Sequence, residues 1–146
     1  MTKLVWWMRI VGVFYLLQFV AMVIVHAPIR TFGPEGVLEQ AAAGDPTAQF
    51  LVDTWVTFGL EVAVIGLALL LASRAPDRGA ALVWTVIGIE LVRGILNDLY
   101  MIARGIEVTG YVVWIFIHSV VIVTGLLCLR AGRDPTRTEA VVSRHA

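Results

Sequence analysis

Charged residues are scarce in this chain of 146 residues. They make up 15% of it, whereas hydrophobic residues make up 59%, and the mean hydropathy is +0.85. Soluble domains typically carry about 25% charged and about 45–50% apolar residues. A domain this small has no interior large enough to bury such an apolar excess. The composition therefore argues against a soluble domain and predicts one integral membrane domain, with the lipid bilayer as its main partner.

The chain also lacks features that indicate several other functions. Cys128 is the only cysteine, which excludes an internal disulfide bond and a cysteine-rich metal site. Positive and negative residues balance at 11 each, so no net charge attracts nucleic acid. The Glu-x-x-His motif of bundle metal sites and the glycine-rich nucleotide motif are both absent from the sequence. We therefore predict no metal, no cofactor and no nucleic-acid partner.

Four long apolar segments indicate an all-α protein. Each approaches or exceeds the roughly 20 residues that a helix needs to cross the hydrocarbon layer, and backbone groups in lipid must be satisfied internally. We predict a transmembrane four-helix bundle within residues 1–132, with helices at about 4–27, 48–73, 80–104 and 109–131. The outer loop, 28–47, contains a short helix at 37–43, and Asp45-Pro46 begins the next long helix. The polar tail, 133–146, is expected to be disordered.

Arginine and lysine are distributed unevenly between the two sides of the predicted membrane. Arg30 and Arg104 lie on one side. Eight basic residues lie on the other: Lys3, Arg9, Arg74, Arg78, Arg130, Arg133, Arg137 and Arg144. The positive-inside rule places both termini in the cytoplasm. The prediction is a multi-pass protein of the inner (plasma) membrane with its long loop outside.

Polar and ionisable residues recur inside the apolar segments at helical spacing. One stripe of the third segment contains Glu90, Arg93, Asn97, Tyr100 and Arg104, while α-helical geometry points Asp98 elsewhere. One face of the second segment contains Asp53, Thr57 and Glu61. Five polar residues lie within about one helical turn of the midpoints of their segments: Gln18, Glu61, Glu90, Arg93 and His118.

Pairing with one another is the arrangement of these residues with the lowest free energy in the bilayer. An exposed Asp or Arg at the bilayer centre costs about 2.5–3.5 kcal/mol. We therefore predict a buried polar cluster at mid-membrane depth. Two glutamates and one arginine leave one negative charge, which a protonated His118 or a protonated glutamate would neutralise. The candidate residues are Gln18, Asp53, Thr57, Glu61, Glu90, Arg93, Asn97, Tyr100 and His118.

Four roles fit such a cluster. The first is binding of a small apolar molecule, with Arg93 on its polar group and aromatic walls from Tyr15, Trp55, Tyr100 and Trp114. The second is a membrane enzyme that transfers protons, with Glu61 or Glu90 as base and His118 as acid. The third is proton-coupled transport or an accessory subunit, which requires a homo-oligomer or a membrane-complex partner. The fourth is a purely structural role in helix packing.

Several stretches resemble a known family. They are WWMRIVGVFYLLQF, RTFGPEG, DTWVTFGLE and GIELVRGILNDLYMIARG. They are similar to the BphX-like family of small bacterial membrane proteins with four helices, and the resemblance covers most of the chain. It implies a membrane location and a bacterial origin, and in some members a gene next to genes for the degradation of aromatic compounds. It implies no catalytic residue, so all four roles stay open.

Overall fold

The computed structural model describes residues 2–106 and 108–131. Within those residues the secondary structure is helical, without a strand. Two π-helices (Val20–Ile24 and Glu90–Leu96) and a 3-10 helix (Pro76–Arg78) interrupt a series of α-helices. The α-helices are α1 (Thr2–Phe19), α2 (Ala27–Phe32), α3 (Val37–Ala42), α4 (Pro46–Ala72), α5 (Ala80–Ile89), α6 (Asn97–Ala103) and α7 (Val108–Ala131). The predicted all-α class is confirmed.

Four continuous helices in the described part of the chain are long and apolar enough to cross a membrane. They cover Thr2–Ile24, Pro46–Ala72, Ala80–Ala103 and Val108–Ala131. The first continues from α1 into the first π-helix, and the third joins α5, the second π-helix and α6. The predicted tail, 133–146, lies outside the described residues.

The chain divides into two compact units. Unit 1 comprises Met1–Met8 and Ser73–Ala146, and unit 2 comprises Arg9–Ala72. The boundary falls within α1, and the predicted bundle would join both units. That arrangement therefore stays a prediction, whereas the packing inside each unit is observed.

Unit 2 contains a close approach between α1 and α4. A Cβ atom on Gly12 would lie 2.9 Å from the carbonyl oxygen of Gly66, and one on Gly66 would lie 2.8 Å from the carbonyl oxygen of Gly12. Larger residues at either position would push the helices apart. The paired glycines let the two backbones touch, as small residues do between membrane helices.

The connection between α1 and α4 folds into two short helices on the start of α4. Ile29 of α2, Val37 of α3 and Ala48 of α4 form a small buried apolar core. Asp45 caps α4, because its Oδ1 accepts a hydrogen bond from the backbone N–H of Ala48 at 2.8 Å. Pro46 follows as the first helical residue. The predicted helix start at Asp45-Pro46 is therefore confirmed.

Unit 1 packs α7 against the first residues of α1 and against the second π-helix. The indole Nε1 of Trp7 donates a hydrogen bond to Oγ1 of Thr124 at 3.0 Å. A Cβ atom on Gly125 would lie 3.0 Å from Cζ2 of Trp7, so the ring covers this glycine closely. Two turns earlier on the same helix, His118 packs against the second π-helix.

Candidate functional site

His118, in the middle of α7, lies between two carboxylates of the third long helix. Its Nδ1 shares a hydrogen bond with Oε2 of Glu90. Its Nε2 lies 3.6 Å from Oδ2 of Asp98. The side chains of Glu90 and Asp98 are 4% and 9% exposed, and that of His118 is 15% exposed. Because the two nitrogens lie on different edges of the ring, Glu90, His118 and Asp98 form a row. We call this row the polar triad.

Gly94 provides the space for the imidazole. A Cβ atom on Gly94 would lie 2.6 Å from Cγ and 2.7 Å from Nδ1 of His118. These distances are far below van der Waals contact, so a side chain at this position requires the ring to move. Gly94 lies four residues after Glu90 and four before Asp98. The ring therefore rests on the helix backbone between the two carboxylates.

The second π-helix turns Asp98 toward His118. In an α-helix with 3.6 residues per turn, eight residues rotate about 80° beyond two full turns. A π-turn bonds residue i to i+5 and so holds one more residue than an α-turn. The π-helix Glu90–Leu96 therefore brings the eight-position spacing from Glu90 to Asp98 close to two full turns. The expectation that Asp98 points away from the polar face was wrong, because it assumed α-helical spacing.

The rest of the predicted stripe differs from Glu90 in its exposure. Arg93, Asn97, Tyr100 and Arg104 are exposed, in contrast to Glu90. At the end of the helix, Nη1 of Arg104 donates to the Tyr100 hydroxyl at 3.5 Å, and its guanidinium lies 6.0 Å from the centre of the tyrosine ring. These two residues therefore interact with each other.

The remaining candidates belong to unit 2. Gln18 on α1 is half-buried, and Asp53, Thr57 and Glu61 on α4 are exposed. Their predicted approach to Glu90 and His118 would connect the two units and stays a prediction.

Trp114 lies beside the imidazole, one turn earlier on α7. The two ring centres are 5.9 Å apart and the planes are inclined by 31°. The sequence predicts Trp114 as one aromatic wall of a pocket for a small apolar molecule. In the structure, this tryptophan forms one side of the environment of His118.

The donor atoms of the triad do not surround a common point. Among the described residues, no group of three or more His, Cys, Asp or Glu side chains is arranged to hold a metal ion. Each nitrogen of His118 faces a different carboxylate, whereas metal ligands converge on a single centre. The geometry is suited to another use, because an imidazole accepts a proton at one nitrogen and releases one from the other.

The triad extends along the helix axis. Glu90 lies near the middle of the helix Ala80–Ala103, and Asp98 lies nearer its C-terminal end. At about 1.5 Å per residue, the Cα atoms of Glu90 and Asp98 are separated by roughly 10–12 Å along the axis, and their side chains converge on the imidazole between them. Oδ2 of Asp98 is buried and has no hydrogen-bond partner within the described chain. The row therefore runs along the helix, with a formed hydrogen bond at its Glu90 end and a longer contact at its Asp98 end.

Comparison with known proteins relates most of the chain to one family. The family model described as BphX-like matches residues 1–134. Two similar proteins, from Burkholderia cepacia and Paraburkholderia xenovorans (strain LB400), are both described as uncharacterized BphX-like proteins. Each is 32% identical over 125 residues, which cover 83% of this chain and 86% of the relative. No solved structure matches the chain significantly.

Proposed function

The chain belongs to the BphX-like family, and we propose that it conducts protons through its polar triad across the bacterial inner membrane. In this proposal the four long helices cross the membrane as a bundle, with both termini in the cytoplasm. Their lengths and the distribution of Arg and Lys support that placement. A unit of four helices is small for a transporter, so the proposal includes a homo-oligomer or a membrane partner.

The observation that carries the proposal is that both nitrogens of His118 face carboxylates of the protein. An acid–base catalyst needs a nitrogen directed at its substrate. A proton carrier needs an acceptor on each side of the ring, and the triad provides both. Ionisable residues within membrane spans commonly mark ion or proton pathways. The geometry therefore favours proton conduction over catalysis.

Binding of a small apolar molecule has weaker support. Of the aromatic walls proposed for such a pocket, Trp114 lies beside His118, whereas Tyr100 is exposed and contacts Arg104. A purely structural role predicts that conservative changes in the triad alter stability without altering proton movement. Proton conduction predicts that the same changes slow proton movement, so measured proton uptake distinguishes the two roles.

Proton uptake by liposomes tests the proposal. The purified protein is placed in potassium-loaded liposomes that contain a pH-sensitive dye, and valinomycin then creates a negative interior that draws protons inward. We expect wild-type liposomes to acidify faster than empty ones. Because the pathway requires each member of the triad, His118→Gln, Glu90→Gln and Asp98→Asn should each slow uptake by about tenfold or more.

Glu39→Gln is the matched control, because it neutralises an exposed carboxylate on the short helix α3. It should retain the wild-type rate. Folding of each variant is checked by circular dichroism and gel filtration. Glu90→Gln and Asp98→Asn keep the shape of the side chain. These two variants therefore test proton conduction through the triad even if His118→Gln does not fold. Wild-type uptake equal to that of empty liposomes, or normal uptake by both isosteric variants, would refute proton conduction.

A further inference from the structure

The register of the Glu90–Leu96 π-helix determines whether Asp98 reaches His118. We infer that this segment is a switch within the proposed proton pathway, on which the inference rests: the π register connects Asp98 to His118, and the α register separates them. Glu90 stays bonded to His118 in both states. The switch thus regulates one half of the polar triad.

The two halves of the triad differ in a way that fits this switch. Glu90 begins the π-helix, and its hydrogen bond to Nδ1 of His118 is formed. Asp98 follows the π-helix, and its Oδ2 lies 3.6 Å from Nε2 without a hydrogen-bond partner in the described chain. A change of register between these two residues rotates Asp98 relative to Glu90. The variable contact is therefore the one on the Asp98 side.

The rotation is large enough to break the pathway. A change of the π-turn to an α-turn removes one residue from that turn. It rotates α6 by about 100° relative to α5. At a Cα radius of about 2.3 Å, this moves the Cα atom of Asp98 by about 3.5 Å, and its carboxylate moves further. The carboxylate then lies out of reach of Nε2. Register shifts of helices take microseconds to milliseconds, which suits a transport step.

The side chains of the segment permit either register. Leu91, Val92 and Leu96 are 47%, 58% and 53% exposed, so their rotation does not remove packed side chains from a core. Gly94 has no side chain to reposition and weakens helical structure by about 1 kcal/mol relative to alanine. π-helices are rare and are frequently found at functional sites. The segment therefore combines an unusual register with three large side chains that no core holds in place.

Deletion of Leu96 tests the switch. It shortens the spacing from Glu90 to Asp98 from eight positions to seven, and seven positions make about two turns of α-helix. Glu90, Gly94 and Asp98 then face His118 without a π-turn, and the pathway is locked in its connected state. We expect proton uptake about threefold or more faster than that of the wild type, because the rate is no longer reduced by the fraction of time spent disconnected.

Two further variants complete the experiment. Leu96→Ala alters the same side chain without altering the register and should keep the wild-type rate. Asp98→Asn, added to the deletion, should abolish the gain. A folded deletion variant that conducts at or below the wild-type rate overturns the switch and leaves the proton pathway intact. Wild-type uptake no faster than that of empty liposomes overturns the proton pathway itself.

Backbone NMR of the wild-type chain in liposomes provides a second measurement if the deletion variant does not fold. A switch on the microsecond-to-millisecond timescale predicts exchange broadening of the Glu90–Leu96 signals in relaxation-dispersion measurements, and the broadening should change in Asp98→Asn. Signals without exchange broadening in both proteins would overturn the switch.

Discussion

The position of the His118 imidazole depends on the absence of a side chain at Gly94. The imidazole occupies the volume in which any other residue would place its Cβ atom. Contact with both carboxylates is possible because that volume is free. Several glycines lie in the long apolar segments, and nothing in the sequence distinguishes Gly94 from the others. Its role depends on α7, which carries His118 across the helix at this point.

Substitution of Gly94 by alanine should lower both stability and proton uptake. The new Cβ atom would lie 2.6 Å from Cγ of His118, and overpacking of this kind costs about 1–3 kcal/mol. The free energy of unfolding can be measured by denaturant titration in detergent. Gly88→Ala is the control, because a Cβ atom there meets no atom within 4 Å. It should stabilise the helix by about 0.5–1 kcal/mol. Equal stabilities of the two variants would contradict the packing described here.

At the level of secondary structure, the helical register decides which residues of the third long helix face His118, and the composition does not show that register. α-helical spacing correctly placed Glu90 on an inward face but misplaced Asp98, since the intervening π-helix adds a residue to the turn. One signal in the sequence was available. An acid directed at lipid costs about 2.5–3.5 kcal/mol, so Asp98 on the wrong face of an α-helix already argued for a different register.

The start of α4 provides a prediction about a helix end. Asp45→Ala removes the acceptor of the Ala48 N–H and should lower stability by about 1 kcal/mol. Asp45→Asn retains a capping oxygen and should preserve most of that stability. Thermal unfolding of the two variants in the same detergent provides the comparison. If asparagine destabilises the protein as much as alanine does, the charge of Asp45 matters more than its hydrogen bond.

At the level of the whole molecule, the outward apolar surface indicates a lipid environment. Only 17–33% of an 18-residue apolar stretch in each long helix is buried. Large side chains such as Phe50, Val64 and Phe116 are 74%, 67% and 69% exposed. Each Å² of apolar surface in water costs about 25 cal/mol. A bilayer removes that cost. The third long helix, which carries the triad, has the lowest mean hydropathy of the four, 1.5.

Cysteine labelling tests the proposed orientation. In a Cys128→Ser background, Ala43→Cys places a thiol in the connection proposed to lie outside, and Ala75→Cys places one in the connection proposed to lie inside. Both positions are exposed. A membrane-impermeant maleimide should label residue 43 in intact cells and residue 75 only after permeabilisation. The reverse pattern would contradict the orientation expected from the positive-inside rule.

The sequence by itself determined the four long helices and the local start of α4. Apolar runs of about 20 residues have few ways to satisfy their backbone in lipid, and the Asp45 cap depends on residues three positions apart. Only the tertiary structure decided the partners of His118. Glu90 is 28 residues away in the chain, and its approach depends on how two helices lie side by side. The contact of Asp98 with His118 depends also on the rotation of Asp98 about its helix axis. The π-turn changes that rotation, and the composition of the segment does not indicate a π-turn.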